Sequence, residues 1–227
     1  ISTDKAVSPS GIKGASKRMA SMLVWDAARR SGRPFMVVRF GNVLGSRGSV
    51  VPFFKAQIER GGPITITHPE MKRYFMTISE AVHLVLQAGG MGKGGELFVL
   101  NMGEPVRIVD LAQDLIRLSG FTTDQIPIVT TGIRPGEKLE EALWEDDAKV
   151  EPTAHPDILR VVETQTPAGD LQAVAKALQH AAQEDDRLQV EAILCDWIQT
   201  FTPSFSALPS GIDEPPDRHP APRPSRL

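Results

Sequence analysis

Thr3, Asp4 and Lys5 put a hydroxyl, a carboxyl and an amine on three consecutive residues, the groups that general acid–base chemistry uses. Asp4 precedes Lys13 by nine residues, and Lys13 precedes Lys17 by four. On a helix that last step is one turn, so both amines project from the same face. Gly14, Ala15 and Ser16 between them are small, which lets a bulky ligand lie close to the backbone. Taken singly, each feature has an ordinary explanation. Thr-Asp-Lys is common turn material, and Lys-x-x-x-Lys is common on solvated basic faces.

The elements that must position these groups alternate strand and helix. Ile1 to Asp4 reads as the tail of a buried strand entering a loop, with neither an initiator Met nor a signal-peptide pattern, so a fragment of a longer protein is expected. Gly11 to Arg30 carries Ala15, Met19, Met22, Leu23 and Ala27 at helical spacing, and Ser31-Gly32-Arg33-Pro34 ends it. Phe35 to Val38 and Leu97 to Leu100 are short continuous apolar runs, as in strands buried on both faces of a parallel sheet. Ile64 to Thr67 alternates like a half-exposed strand. Helices are expected over Val50–Glu59, Ser79–Ala88 with Ser79 as its cap, Ile108–Leu118 closed by Gly120, and Glu137–Trp144. Ile126 to Val129 reads as one more strand.

After Glu151 the sequence predicts two helices rich in Ala and Gln. Val190, Ile193, Leu194, Trp197 and Ile198 form an apolar stripe there that reads as a packing face. The expected organisation is a partial catalytic domain with an interleaved subdomain over 1–150, a helical extension over 151–202 and a disordered Pro-rich tail over 203–227.

Composition removes several classes of function. The chain has 227 residues, 41% of them hydrophobic, enough for a real core. With 25 basic and 28 acidic residues its net charge is −3, so nothing points to nucleic acid. No apolar run is long enough to span a membrane. Cys195 is the single cysteine, which excludes an internal disulfide and reads as inert helix packing. No metal site is read.

Four blocks in order then change the weight of the first motif. Ile1 to Pro9 with Gly14-Ala15-Ser16-Lys17-Arg18 is followed by Arg39 to Pro52, by Met71-Lys72-Arg73-Tyr74-Phe75-Met76-Thr77, and by Arg134-Pro135-Gly136-Glu137-Lys138-Leu139. Together they resemble the polysaccharide-biosynthesis family of extended short-chain dehydrogenases/reductases, in particular its UDP-N-acetylglucosamine 4,6-dehydratases of the long, membrane-anchored subfamily. The resemblance implies an α/β fold: the C-terminal part of a Rossmann-type doubly wound parallel sheet, with a small α/β substrate-binding subdomain. It implies an NAD(P)-dependent lyase that turns a UDP-N-acetylhexosamine into a 4-keto-6-deoxy sugar for surface polysaccharide or glycan synthesis.

By the same resemblance, Asp4 protonates the departing C6 hydroxyl, Lys5 takes the C5 proton, and Thr3 bonds the sugar near C4. Lys17 binds the nicotinamide ribose, with Ser2 beside the cofactor. Asn42 contacts the sugar or its phosphate, Arg47, Arg73 and Arg134 clamp the diphosphate, and Glu137 bonds the ribose or orients an arginine. Lys13 departs from the family, whose members carry Tyr there, or Met in the long subfamily. It stands either as a base or, on the reading preferred here, as a bystander swung outward.

The cofactor half is expected to lie upstream. No Gly-x-Gly-x-x-Gly occurs, and Gly89 to Gly95 precedes a strand instead of joining strand to helix. NAD or NADP is therefore expected to need sequence preceding Ile1, and the chain by itself to be inactive. The whole protein is expected to be a cytoplasmic homo-oligomer, at the inner face of the membrane if the preceding sequence supplies an anchor. Two alternatives compete: a catalytically silent sugar-nucleotide-binding or assembly module, in which Lys13 records lost activity, and a nucleotide-sugar epimerase, which normally depends on the Tyr that Lys13 replaces.

Overall fold

A computed structural model of the chain describes residues 1–46, 48–163 and 169–203. In chain order the elements are β1 (Ser2–Thr3), a 3-10 turn (Asp4–Ala6), α1 (Ile12–Ser31), β2 (Val37–Phe40), β3 (Asn42–Val43), α2 (Val50–Glu59), β4 (Ile64–Ile66), β5 (Lys72–Arg73), β6 (Phe75–Met76) and α3 (Ile78–Met91). They continue with β7 (Leu97–Leu100), β8 (Val106–Arg107), α4 (Ile108–Leu118), β9 (Ile128–Thr130), β10 (Lys149–Pro152), β11 (Ile158–Val162), α5 (Leu171–Gln183) and α6 (Arg187–Trp197).

The main sheet has the order β1-β2-β7-β11-β10. β1, β2 and β7 are parallel, with Ser2 opposite Arg39 and Val37 opposite Leu97. β11 runs antiparallel to β7, and β10 antiparallel to β11. All four residues of β7 are buried, as the unbroken apolar run predicts for a strand covered on both faces. Val37, Val38 and Leu97 to Leu100 share a core with Leu84 and Ala88 of α3.

A second core joins α2 and α4 over the parallel pair β4–β9, from Phe54, Ile58, Ile64, Ile66, Ile108 and Ile116. The third packs α1 against α5 and α6, with Ala15, Met19 and Met22 meeting Leu171, Leu194 and Ile198. The stripe on α6 is thus a packing face.

Several expectations need correction. Residues 137–144 form an irregular, bent loop instead of a helix. α3 is capped by Thr77, not Ser79: the Thr77 hydroxyl accepts from the Glu80 N–H and the Glu80 carboxylate accepts from the Thr77 N–H. The run at Phe35 pairs two residues later, over Val37–Phe40, because Arg39 is carried in the strand as a buried side chain. Residues 149–162 add β10 and β11 to the sheet, so helix begins only at Leu171. β7 is therefore paired on both sides, by β2 and β11, whereas β1 has a partner on one side only among the described strands. Cys195 is exposed, not packed. Partial burial, then the charges of Asp196 and Glu191, push its thiol above the ordinary value, which disfavours the reactive thiolate. Arg47 and the tail beyond Pro203 lie outside the described residues. No helix among the described residues is long and apolar enough to cross a membrane.

Candidate active site

The chain leaves β1 through a tight turn, and this turn sets the site. Asp4 is fully buried. Its Oδ1 accepts from the Thr3 hydroxyl at 2.8 Å, from the Lys5 N–H at 2.9 Å and from Lys5 Nζ at 2.9 Å. Lys5 Nζ also donates to Asn42 Oδ1 at 3.0 Å, which ties the turn to the strand that follows β2. Thr3, Asp4, Lys5 and Asn42 thus form one hydrogen-bonded group. Asp4 Oδ2 is buried without a partner among the described residues.

Two glycines make this geometry possible. A Cβ on Gly14 would stand 2.1 Å from the Lys5 carbonyl oxygen and 3.1 Å from Pro9 Cβ, so α1 touches the Lys5 turn backbone to backbone. The small residue serves that close approach, not the ligand contact expected from Gly14-Ala15-Ser16. A Cβ on Gly41 would meet Tyr74 Cβ at 2.9 Å and Asp4 Oδ2 at 3.2 Å.

The turn is fastened from the far side by residues 134–145. Lys138 Nζ donates to the Val7 carbonyl at 2.8 Å, and the Ser10 hydroxyl to the Gly136 carbonyl at 2.7 Å. The Ser8 N–H donates to Glu145 at 2.8 Å, and its hydroxyl bonds the same carboxylate. Arg73 is buried: Nη1 donates to the Lys72 and Leu139 carbonyls and Nη2 to the Lys138 carbonyl, with Glu137 at 3.8 Å. These bonds occupy the Arg73 guanidinium and shape the 137–141 segment as a loop.

Asn42, Arg73, Arg134 and Glu137 line one side of a cleft of about 560 Å³, with Ser49 and Phe53 of the α2 region and Thr65 and Thr67 around β4 on its walls. That size suits a small organic ligand. Arg134 is exposed and its guanidinium has no partner among the described residues, whereas its N–H donates to Glu137 at 3.3 Å. Lys13 and Lys17 are both exposed, one turn apart on α1. Ser2 is buried, its hydroxyl 3.2 Å from that of Ser21.

The motif reading missed Glu141 and Tyr74. Burial pushes the Glu141 carboxyl above its ordinary range, and Asp4 pushes the same way, while Lys5, Arg73 and Lys138 oppose. Burial, then Glu140, Glu104 and Asp4, raise the Tyr74 hydroxyl. Tyr74 lies inside the matched Met71–Thr77 block and Glu141 follows the last block by two residues, so the blocks themselves were the available signal.

A mixed sheet whose parallel part β1-β2-β7 is flanked by helices, with this acid–amine turn at the C-terminal end of β1, has the α/β arrangement of a Rossmann-type fold. Residues 1–163 match the family described as polysaccharide biosynthesis protein, and the chain belongs to that family. The probable polysaccharide biosynthesis protein EpsC of Bacillus subtilis is 54% identical over 188 residues, covering 76% of this chain and 31% of EpsC. A UDP-glucose 4-epimerase of Rickettsia canadensis is 40% identical over 156 residues, 66% of this chain and 45% of the epimerase. Among solved structures, Pen from Bacillus thuringiensis superposes with a TM-score of 0.64 at 35% identity, covering 75% of this chain and 52% of Pen. A dTDP-glucose 4,6-dehydratase from Bacillus anthracis, solved with NAD, shares the fold: TM-score 0.54, 18% identity, 63% of this chain and 50% of that one. The chain spans about a third of EpsC and half or less of the epimerase.

For a nicotinamide dinucleotide, the residues present fit one end only. The exposed Lys17 ammonium, without a partner among the described residues, suits ribose hydroxyls. Ser2 is turned toward Ser21, and the glycine-rich pyrophosphate turn is absent from the sequence.

Proposed function

We propose that this chain carries the acid–base and substrate-binding part of a nucleotide-sugar 4,6-dehydratase acting on a UDP-N-acetylhexosamine. The observation that carries the reading is the Thr3–Asp4–Lys5–Asn42 group, in which an acid and an amine share one buried hydrogen-bond network reaching the cleft through Asn42. NAD or NADP, held with Lys17 at its nicotinamide ribose, supplies hydride acceptance from C4 and return to C6.

The chain's own groups move the protons. Thr3 passes the C4 hydroxyl proton to Asp4, which its hydroxyl already contacts. Oxidation at C4 acidifies C5–H, and Lys5 takes that proton. Asp4 then gives its proton to the C6 hydroxyl, which departs as water. Lys5 returns its proton to C5, leaving both groups as they began. Arg134 holds the diphosphate in the cleft, and Glu137 bonds the ribose or orients Arg134, whose N–H already donates to it. The epimerase reading draws on the relatives of that name, yet position 13 is Lys and offers no phenol to that chemistry. Incubation of the complete protein with UDP-N-acetylglucosamine and NAD or NADP, followed by mass spectrometry, is expected to show the 4-keto-6-deoxy product. A 4-epimer of unchanged mass would select the epimerase, and unchanged substrate the silent binding module.

Two further outcomes follow from single positions. Arg134→Ala is expected to weaken UDP binding by about 1.5–3 kcal/mol, the size of a charge-assisted hydrogen bond. An unchanged dissociation constant by calorimetry would place Arg134 outside the site. Lys13→Met restores the long subfamily's pattern, and turnover is expected to stay equal or rise. A loss of about a hundredfold, with one limb of the pH–rate profile removed, would make Lys13 a base.

A further inference from the structure

The residues between Lys5 and Pro9 bring the chain back to the helix it has just touched. The Lys5 carbonyl and the Pro9 side chain both meet α1 at Gly14, each within 3.1 Å of where a Cβ would stand. Ser8 makes the reversal, with a φ of 35°. That sign of φ is one an L side chain rarely adopts, and the ring of Pro9 further confines the residue before it to extended backbone. Such a conformation persists only where its surroundings impose it.

Glu145 imposes it. The residue is 8% exposed, and both carboxylate oxygens are committed to Ser8: Oε1 accepts from the N–H at 2.8 Å and Oε2 from the hydroxyl. The first bond fixes the peptide plane leading into Ser8 and the second fixes its side chain, and φ is the torsion between the two. The segment that carries Glu145 is itself anchored. The Leu143 carbonyl accepts from Arg39 Nη1 of β2 at 3.0 Å, and Lys138 Nζ holds the Val7 carbonyl at 2.8 Å. Ahead of Ser8, the Val7 N–H donates to the Asp4 carbonyl at 3.0 Å. A path of bonds thus runs from Glu145 through Ser8 and Val7 to Asp4.

We propose that Glu145 is a positioning residue for the proton-moving turn: by holding Ser8 at positive φ it keeps Asp4 and Lys5 in register with Asn42. The consequence for turnover rests on the dehydratase reading, whereas the conformation assigned to Ser8 does not. Glu145 acts through Ser8. It lies on the same 134–145 segment that brings Arg134 and Glu137 to the cleft, so the grip on the nucleotide and the placement of the acid and amine share one frame.

The test uses the complete protein in two arms. Gly and Ala at position 8 both lack the hydroxyl, and only Gly takes a positive φ freely. In urea unfolding, Ser8→Gly is expected to have a higher midpoint than Ser8→Ala while Glu145 is present. That order is expected to vanish or reverse once Glu145→Ala lets the backbone relax. No gap with Glu145 present, or the same gap without it, overturns the proposal, whatever the activity. In the second arm, with UDP-N-acetylglucosamine, Glu145→Ala is expected to lower kcat at least about tenfold while the UDP dissociation constant stays within about threefold. Adding Ser8→Gly is expected to restore most of that loss, and adding Ser8→Ala none of it. Glu145→Gln, whose amide still meets both Ser8 groups, is expected to stay within about threefold of the parent rate. An equal loss with Gly or Ala at position 8 would mean a structural role only and would overturn the positioning. Should Glu145→Ala not fold, Glu145→Asp, one methylene short of Ser8, replaces it in both arms with the same expected order. If the parent protein makes no 4-keto product, the dehydratase reading fails, and the unfolding arm still decides whether Glu145 holds Ser8.

Discussion

Asp4→Asn in the complete protein is expected to abolish dehydration, by about a thousandfold or more in kcat, while the dissociation constant for a UDP-sugar stays within about tenfold. The substitution keeps the shape of the side chain. It removes the carboxylate that accepts from Thr3, from the Lys5 N–H and from Lys5 Nζ. It therefore removes both the acceptor for the C4 hydroxyl proton and the donor to C6. The nucleotide end is gripped elsewhere, by Arg134 and Glu137 on the cleft wall. Product analysis gives kcat and calorimetry gives binding. Near-normal turnover would remove the acid assignment, and a collapse of binding would mean that Asp4 holds the site together instead of working in it.

Glu163→Ala is expected to be the most damaging change to stability, by about 3–5 kcal/mol. Glu163 pairs with two buried arginines at once. Arg39 Nη1 donates to it at 2.7 Å and to the Leu143 carbonyl at 3.0 Å, and Arg18 bonds its other oxygen while lying 5.7 Å over the Trp25 ring. Burial draws Arg39 below its ordinary value, Glu163 pulls it back up, and Arg18 opposes. Without Glu163, two buried guanidinium groups face each other with no close carboxylate. Replacing Arg18, Arg39 and Glu163 together by Met is expected to cost much less, since the desolvation penalty disappears along with the pair. Denaturant unfolding of the parent, the single variant and the triple variant decides this. A loss below about 1 kcal/mol for Glu163→Ala would show that water reaches the cluster.

This cluster marks where the sequence stopped being readable. The buried runs at Val37 and Leu97, the helical spacing through Ala15, Met19 and Met22, and the cap at Gly32 all follow local rules, and the structure agrees with them. Arg39 breaks the strand pattern because its charge is met by Glu163, 124 residues away in sequence. No local period can announce such a partner. Residues 137–144 fail for a related reason. Leu139 and Leu143 suit a helical face, but Arg73 takes the carbonyls of Lys138 and Leu139, and Lys138 reaches across to Val7. Tertiary hydrogen bonds outbid the helix there.

The site was legible in part. Residue types brought Thr3, Asp4 and Lys5 to attention and the family resemblance added Asn42, and the structure joins them by hydrogen bonds. Glu141 drew no notice, because burial by a loop latched from elsewhere leaves no periodic trace. Gly14 drew notice for the wrong partner: what it admits is the Lys5 carbonyl.

The central claim is that the turn after β1 moves protons at C4, C5 and C6 of a nucleotide sugar. It is tested most directly by running the complete protein with UDP-N-acetylglucosamine in deuterium oxide and reading the product by mass spectrometry and proton NMR. The account predicts a sugar that has lost one water and gained a single deuterium, at C5, since Lys5 exchanges its proton with solvent while the hydrogen reaching C6 comes from C4 of the same substrate. A product without loss of water, or a 4-keto sugar with deuterium delivered to C6 and none at C5, would contradict it.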